Sequence, residues 1–191
     1  MDSASANTRC EVRIWNEIAG RHDLFLGIDH GDAIATFLST IVAAPVRLVR
    51  VVRLEPVSHA HVISLSLLAE VNDALISSGH ATVEAERFRP NIVLTDTEMA
   101  LPPFIEEHFV DLQWGRDAGT GRLSVLAPCI RCVVPNVDPR TALVSAEPLV
   151  TVARLSVQRH PGKPVYVGIY ATCDGAAALC AGTTMVATLG F

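Results

Sequence analysis

Charge is scarce in this chain. Only 18% of its 191 residues are charged, while half are hydrophobic. That balance excludes wholesale disorder, which requires low hydrophobicity and high net charge, and it allows a sizeable core. Positive charge is scarcer still: the formal net charge is -5, whereas a general nucleic-acid binder would be basic overall, so no nucleic-acid partner is expected. Long apolar runs are absent. The longest candidate, 33–52, is broken by Pro45, Arg47 and Arg50, so no membrane span is expected. The stretch Met1 to Thr8 lacks the basic and apolar regions of a secretory leader. Five cysteines make an odd set in a chain too large to need staples, so reduced thiols in a soluble, cytoplasmic protein are the expectation. No repeat, low-complexity tract or clear linker is present. A poorly ordered stretch over 1–9 and a single domain over 10–191 are expected.

What is present reads as many short strands with two or three helices between them. Glu11 to Trp15 alternates polar and apolar, as a half-buried strand does. Gly27 to Gly31 reads as a turn, with Asp29 and Asp32 as helix caps, and Ile34, Phe37, Leu38 and Ile41 follow at helical spacing. The segment 46–53, with Arg47, Arg50 and Arg53 among valines, predicts a strand edge carrying solvated charges; the sharper alternative is the wall of an anion site. His61 to Ile63 predicts a strand, Ser64 a helix cap, and Leu67, Leu68, Val71 and Leu75 an apolar helix face ending before Gly79. Further strands are predicted at 92–94, 109–114, 122–127, 130–134, 164–171 and 184–189, with a helix around Leu149 to Leu155. The pattern fits a barrel-like sheet with helices packed outside and lacks the regular alternation of a doubly wound fold.

One motif carries chemistry: Pro128-Cys129-Ile130-Arg131-Cys132, followed by Val133-Val134-Pro135-Asn136-Val137-Asp138-Pro139. A thiolate is a soft metal ligand or a carrier of sulfur, and a neighbouring guanidinium favours it over the thiol. Cys129 and Cys132 have the spacing of half a zinc site, but Cys10, Cys173 and Cys180 supply no second pair. A thioredoxin-type pair should open a helix, whereas β-like residues and Pro135 follow here. From the residues alone, two buried and inert thiols are the simplest reading. A second constellation is Arg87-Phe88-Arg89-Pro90-Asn91. Pro90 predicts an extended Arg89 able to fork onto a phosphate, with Asn91 beside it, although solvated arginines leading into a strand fit the segment alone. Glu106, Glu107, His108 and Asp111 resemble an acid–base cluster, but no spacing there is diagnostic and they read as a solvated loop face; Gly119-Thr120-Gly121 lacks the lysine and hydroxyl of a phosphate-binding loop and reads as a hairpin turn.

Taken in order, these two motifs with Val137-Asp138-Pro139, Glu147-Pro148-Leu149 and Val167-Gly168-Ile169-Tyr170 resemble the MOSC domain, the molybdenum-cofactor sulfurase C-terminal domain. Within it, the branch of the mitochondrial amidoxime-reducing components is the most similar. The resemblance implies a mixed β fold with helices (α+β), a MOSC-type β-barrel with two or three flanking helices. It implies a molybdenum–pterin cofactor with Cys132 as catalytic residue and metal ligand. Arg131 then falls on a cofactor-contacting position, Arg89 and Asn91 on residues that hold the pterin or its phosphate, Tyr170 near the cofactor, and Ser58 on a small polar contact. The family's N-terminal associated segment is largely missing from this sequence, which implies a cradle completed by a partner, such as a separate N-terminal half, or lost. The family's glycine after the Val-Asp-Pro motif is Ala142 here, and its C-terminal Gly-Asp is Gly182-Thr183.

Three functions follow as expectations. The first is two-electron reduction of an N-oxygenated small-molecule substrate at molybdenum bound by Cys132, fed by an electron-transfer partner. The second is sulfur transfer through a Cys132 persulfide, loaded by a cysteine desulfurase. The third is a binding or specialised-pathway module that has lost the cofactor. Whether the chain is an enzyme stays open among them.

Overall fold

The computed structural model describes residues 8–16, 19–52, 60–95, 100–115, 120–175 and 177–190. The chain divides into two compact units, Met1–Ser58 and His59–Phe191. Among the described residues the fold is mixed α+β, with three α-helices and a strongly curled, six-stranded half-barrel sheet.

In the first unit, β1 (Thr8–Asn16) and β2 (Arg21–Asp29) form an antiparallel hairpin, α1 (Asp32–Val42) follows, and β3 (Val49–Val51) pairs with β2. The expected turn at Gly27 to Gly31 is instead largely strand. Leu24, Phe25 and Leu26 are apolar on both faces, which hides the period-two signal, and Gly27 is a strand residue because of crowding. A Cβ there would lie 2.5 Å from Val49 Cγ1 and 2.6 Å from Val12 Cγ2. Asp29 accepts from the Gly31 N–H, but no side chain caps α1 at Gly31. The expected strand over 46–53 shortens to β3, at the sheet edge. Residues 46–48 are pinned by side chains instead: Ser39 Oγ bonds both Val46 backbone groups, and Arg47 is ion-paired to Asp29 and Asp32. Arg50 is exposed, as the solvated-edge reading expects, and Arg53 lies outside the described residues.

The second unit carries β4 (Ala60–Ser64), α2 (Leu65–Ser77), β5 (Ile92–Leu94), β6 (Phe109–Trp114), β7 (Gly121–Ile130), α3 (Leu149–Arg159), β8 (Tyr166–Gly175) and β9 (Val186–Leu189). The sheet order is β5-β4-β8-β7-β6-β9, with β4 and β5 parallel and the other pairs antiparallel. Ser64 caps α2 by accepting from the Leu67 N–H at 3.0 Å, as its position before an apolar run predicts. Two buried clusters line the two faces of the sheet. Ile63, Val167, Leu67, Val71, Leu75 and Val152 pack on the helix side. Val62, Ile169, Leu112, Trp114 and Leu123 fill the other. No helix among the described residues is long and apolar enough to cross a membrane.

Strand β8 breaks the alternation rule in an informative way. Val167 and Ile169 should share a face, yet they belong to opposite clusters. The reason is a bulge: the register with β7 shifts between Pro128 and Ile130, and Gly168 adopts φ +70°. A Cβ on Gly168 would meet the Val62 carbonyl oxygen at 2.3 Å and His61 Nε2 at 3.0 Å, so only glycine fits there. The two strands expected at 122–127 and 130–134 are one strand, β7, which runs through Pro128 and stops at Ile130. Proline reads as a strand breaker in sequence, but here it sits between two register shifts. Beyond Arg131, Pro135 forces a 3-10 turn over Val134–Asn136 in place of β-structure.

Candidate functional site

The site is built at the end of β7, where Arg131 turns inward. Its guanidinium donates to the Phe88 carbonyl at 3.0 Å and to Cys129 Sγ at 3.2 Å, while its backbone N–H donates to the Val165 carbonyl. Cys129 is wholly buried, and Cys132 is exposed. The pair therefore divides: one thiol matches the inert reading and the other does not. The guanidinium expected beside Cys132 in fact holds Cys129.

The tie between Phe88 and Arg131 also fixes a corner. Arg89 follows Phe88, Cys132 follows Arg131, and both are exposed. Arg89 is not extended, as Pro90 predicts, but left-handed, with φ 52° and ψ 50°. It ends the 3-10 turn Ala85–Phe88, where its N–H donates to the Glu86 carbonyl. Asn91 is committed to the sheet: its N–H donates to the His61 carbonyl and its Oδ1 accepts from the His61 N–H, both at 2.8 Å. Tyr170 pairs across from His61 in β8, their rings 6.1 Å apart between centroids. Arg89, Asn91, Arg131 and Tyr170 are thus gathered around His61, with Cys132 at the outer end of the tie. Ser58 lies outside the described residues.

His61 itself escaped the sequence reading. It is 6% exposed, and its Nε2–H donates to the Val167 carbonyl at 2.9 Å, at the bulge that Gly168 creates. That contact fixes the tautomer, because a carbonyl only accepts. Burial pushes its pKa below the ordinary value, and the Arg131 charge pushes the same way, against the carbonyls of Val167, Arg89 and Phe88. A histidine on the buried parity of a strand, opposite a tyrosine and a positive-φ glycine, is the signal that could have found it.

Arg87 is equally informative. Far from solvated, it donates to the carbonyls of Pro135 (2.7 Å) and Glu147 (3.1 Å) and pairs with Asp138 at 3.3 Å. Asp138 in turn accepts from the N–H groups of Arg140 and Thr141, which lower its pKa. Glu147 Oε2 accepts from the Thr151 N–H at the start of α3, and Asn136 Oδ1 from the Leu149 N–H. The Val-Asp-Pro and Glu-Pro-Leu motifs are therefore a brace for the loop that follows Cys132.

The acidic run is not a solvated face. Glu106 is fully buried and accepts from the Ser64 N–H (3.2 Å) and hydroxyl (2.9 Å); burial raises its pKa against those bonds. Glu107 pairs with Arg159 and His160, and Asp111 with Arg122. Sequence spacing cannot show this, because each partner lies on another element. Strands β6 and β7 pair antiparallel and place Gly121 opposite Trp114, whose ring leaves no room for a Cβ, while Gly119 of the expected turn lies outside the described residues.

The donor set suits an anionic, thiolate-ligated metal cofactor. Among the described residues, neither Arg89 nor Arg131 is paired with a carboxylate. Arg131 Nε is buried with no hydrogen-bond partner. No group of three or more His, Cys, Asp or Glu side chains among the described residues is arranged to hold a metal ion. A metal taking a single protein thiolate, its other ligands coming from an organic group, is the kind this corner could accept.

The strongly curled half-barrel sheet with its helices is consistent with a MOSC-type barrel. The MOSC domain family matches over residues 50–186, and the chain belongs to that family. The family is associated with the molybdenum cofactor. The chain is also similar to proteins named molybdenum cofactor sulfurase. It is 35% identical over 94 residues to that of Botryotinia fuckeliana, covering 48% of this chain and 11% of the relative. It is 34% identical over 94 residues to that of Aspergillus clavatus, covering 47% and 11%. The match thus spans about a ninth of these curated relatives.

Proposed function

We propose that this MOSC protein binds the molybdenum cofactor with Cys132 as metal ligand and reduces an N-oxygenated small molecule, in the cytoplasm and with electrons from a partner protein. The observation that carries this is the division of labour at the corner: Cys129 is buried and bonded to the inward-turned Arg131, whereas Cys132 is exposed at the braced strand end, and Arg89, exposed next to the Phe88 tie, has no carboxylate partner among the described residues. When bound, the cofactor supplies the two-electron chemistry. The chain's residues do the rest. Cys132 offers the soft ligand, Arg89 offers exposed guanidinium donors to a phosphate or pterin, and Asn91 keeps its amide nitrogen as a donor. Arg131 and His61 hold the corner rigid, and Tyr170 lies against His61. The test is reduction of an amidoxime by reduced viologen, using protein made in a cofactor-competent host. Turnover in the wild type, and loss of at least about 10²-fold in Cys132→Ser with folding unchanged, is the expected result. Equal turnover in both proteins would refute the assignment.

The names of the two relatives favour a second reading, in which Cys132 carries sulfur. Its thiolate would take the outer sulfur of a desulfurase persulfide, forming one S–S bond as the donor's breaks and releasing the donor thiolate. Intact mass after incubation with a cysteine desulfurase and cysteine distinguishes the two readings. Addition of one sulfur atom at Cys132 supports transfer, and no addition beside a loaded control carrier excludes it.

A further inference from the structure

We propose that the second unit has a binding cavity for a neutral, largely apolar small molecule, set in the mouth of the half-barrel between its two open edges. Among the described residues, β5 pairs only with β4 and β9 only with β6, so the sheet ends at these two strands. Between them lies a cavity of about 810 Å³. This falls within the range of roughly 300–1,000 Å³ typical of small-molecule sites, which favour the mouths of barrels.

The lining states the chemistry. Ile92, Leu94, Ile105, Phe109, Leu112 and Met185 give apolar walls, and none of the described lining residues is charged. A carboxylate or ammonium entering this space would be desolvated with no countercharge among the described lining residues, at a cost of several kcal/mol. Strand β5 contributes five successive residues, Asn91 to Thr95. Successive strand residues face opposite ways, so β5 offers the cavity its edge, with backbone N–H and C=O groups outside the ladder. These groups, with the Thr183 and Thr184 hydroxyls, can meet a few polar atoms of an otherwise apolar guest. Val93 and Leu189, both lining the cavity, remain 41% and 43% exposed, which is apolar surface that such a guest would cover. An added peptide strand fits less well, because β5 is only Ile92–Leu94 and templates very few ladder bonds. The proposal stands apart from molybdenum binding; Asn91 alone is shared with the corner around His61.

The test titrates the full chain with Nile red, a neutral fluorescent probe, and competes it with decanol, decanoate and decylammonium. Two protein readouts accompany it. Ala187 lines the cavity and is exposed, so Ala187→Phe adds bulk at its wall. Cys180 lies in the lining, and its alkylation rate can be compared by mass with those of exposed Cys132 and Cys173. Saturable probe binding is expected, with decanol competing at least about tenfold better than either charged analogue. Ala187→Phe should weaken the probe about tenfold, and decanol should slow alkylation at Cys180 alone. If Ala187→Phe does not fold, the Cys180 rate decides. Absence of saturable binding, equal competition by the charged chains, unaltered binding by a folded Ala187→Phe, or an unchanged Cys180 rate at saturating decanol would overturn the proposal. So would an extended apolar peptide that displaces the probe more tightly than decanol does.

Discussion

Cys129 and Cys132 belong to one motif but sit in different surroundings. The first is enclosed and bonded to Arg131, and the second faces water. Arginine numbers make the same point. Arg87 donates to two backbone carbonyls and pairs with Asp138, and Arg131 donates to the Phe88 carbonyl and Cys129 Sγ, whereas Arg89 stays exposed. The residues that make the family visible in sequence are therefore mostly brace, and fewer of them are left to meet a ligand. Ala142 shows what divergence costs at this scale. It stands where the resemblance expects glycine, and it adopts φ 58°, with its N–H on the Asp138 carbonyl. A Cβ in the left-handed region is strained, so Ala142→Gly should raise stability by about 1 kcal/mol, or the melting temperature by about 3 °C. A thermal melt that fell would show that the loop is not held in this conformation.

At the scale of elements, most of the second unit was legible from the sequence. The cap at Ser64, helix α2, strands β5 and β6 and the start of α3 follow from periodicity and flanking residues. The misses share a physical cause. Gly27 in β2, Pro128 in β7 and the bulge at Gly168 are residues whose local preference was overridden by crowding or by register shifts with other strands. For the candidate site, Cys132 and Arg89 are singled out by their motifs together with the family resemblance, and the structure leaves both exposed. His61 and the brace made by Arg87 could not be named from the sequence, because their partners lie 48 to 106 positions away. Glu106 joins elements in the same way, linking the start of α2 to the 3-10 turn Ile105–His108. Burial raises its pKa above the ordinary 4.5. The folded state then holds a proton that the unfolded state releases, so this group's contribution is full below about pH 4.5 and is lost as pH rises through the folded value. Glu106→Gln, neutral throughout, should gain on the wild type as pH rises. Urea melts at about pH 5 and about pH 8 measure the gap, and a gap that shrinks with pH would reverse the assignment.

Considered whole, the molecule concentrates its stability in the second unit. Both buried hydrophobic clusters lie there, while Ala35 is the one buried large-or-small hydrophobic of the first unit's described residues, and Trp15, Leu24, Phe37 and Ile41 are exposed. Few buried apolar contacts mean low local stability. Native-state hydrogen exchange should therefore release the amides of β1–β3 at least about tenfold faster than those of β4, β7 and β8. Uniform protection across both units would contradict this. The corner with Cys132, carried on β7 and the Arg87 brace, belongs to the protected part.

The central claim is that the exposed thiol, and not the buried one, is the working group. The most direct measurement is the molybdenum-to-protein ratio of the wild type, Cys132→Ser and Cys129→Ser, all purified from one cofactor-competent host and matched for folded fraction by circular dichroism. The account predicts metal in the wild type, a ratio near zero in Cys132→Ser at unchanged stability, and a wild-type ratio per folded molecule in Cys129→Ser at lower stability. Molybdenum retained by Cys132→Ser, or lost from a fully folded Cys129→Ser alone, would contradict it.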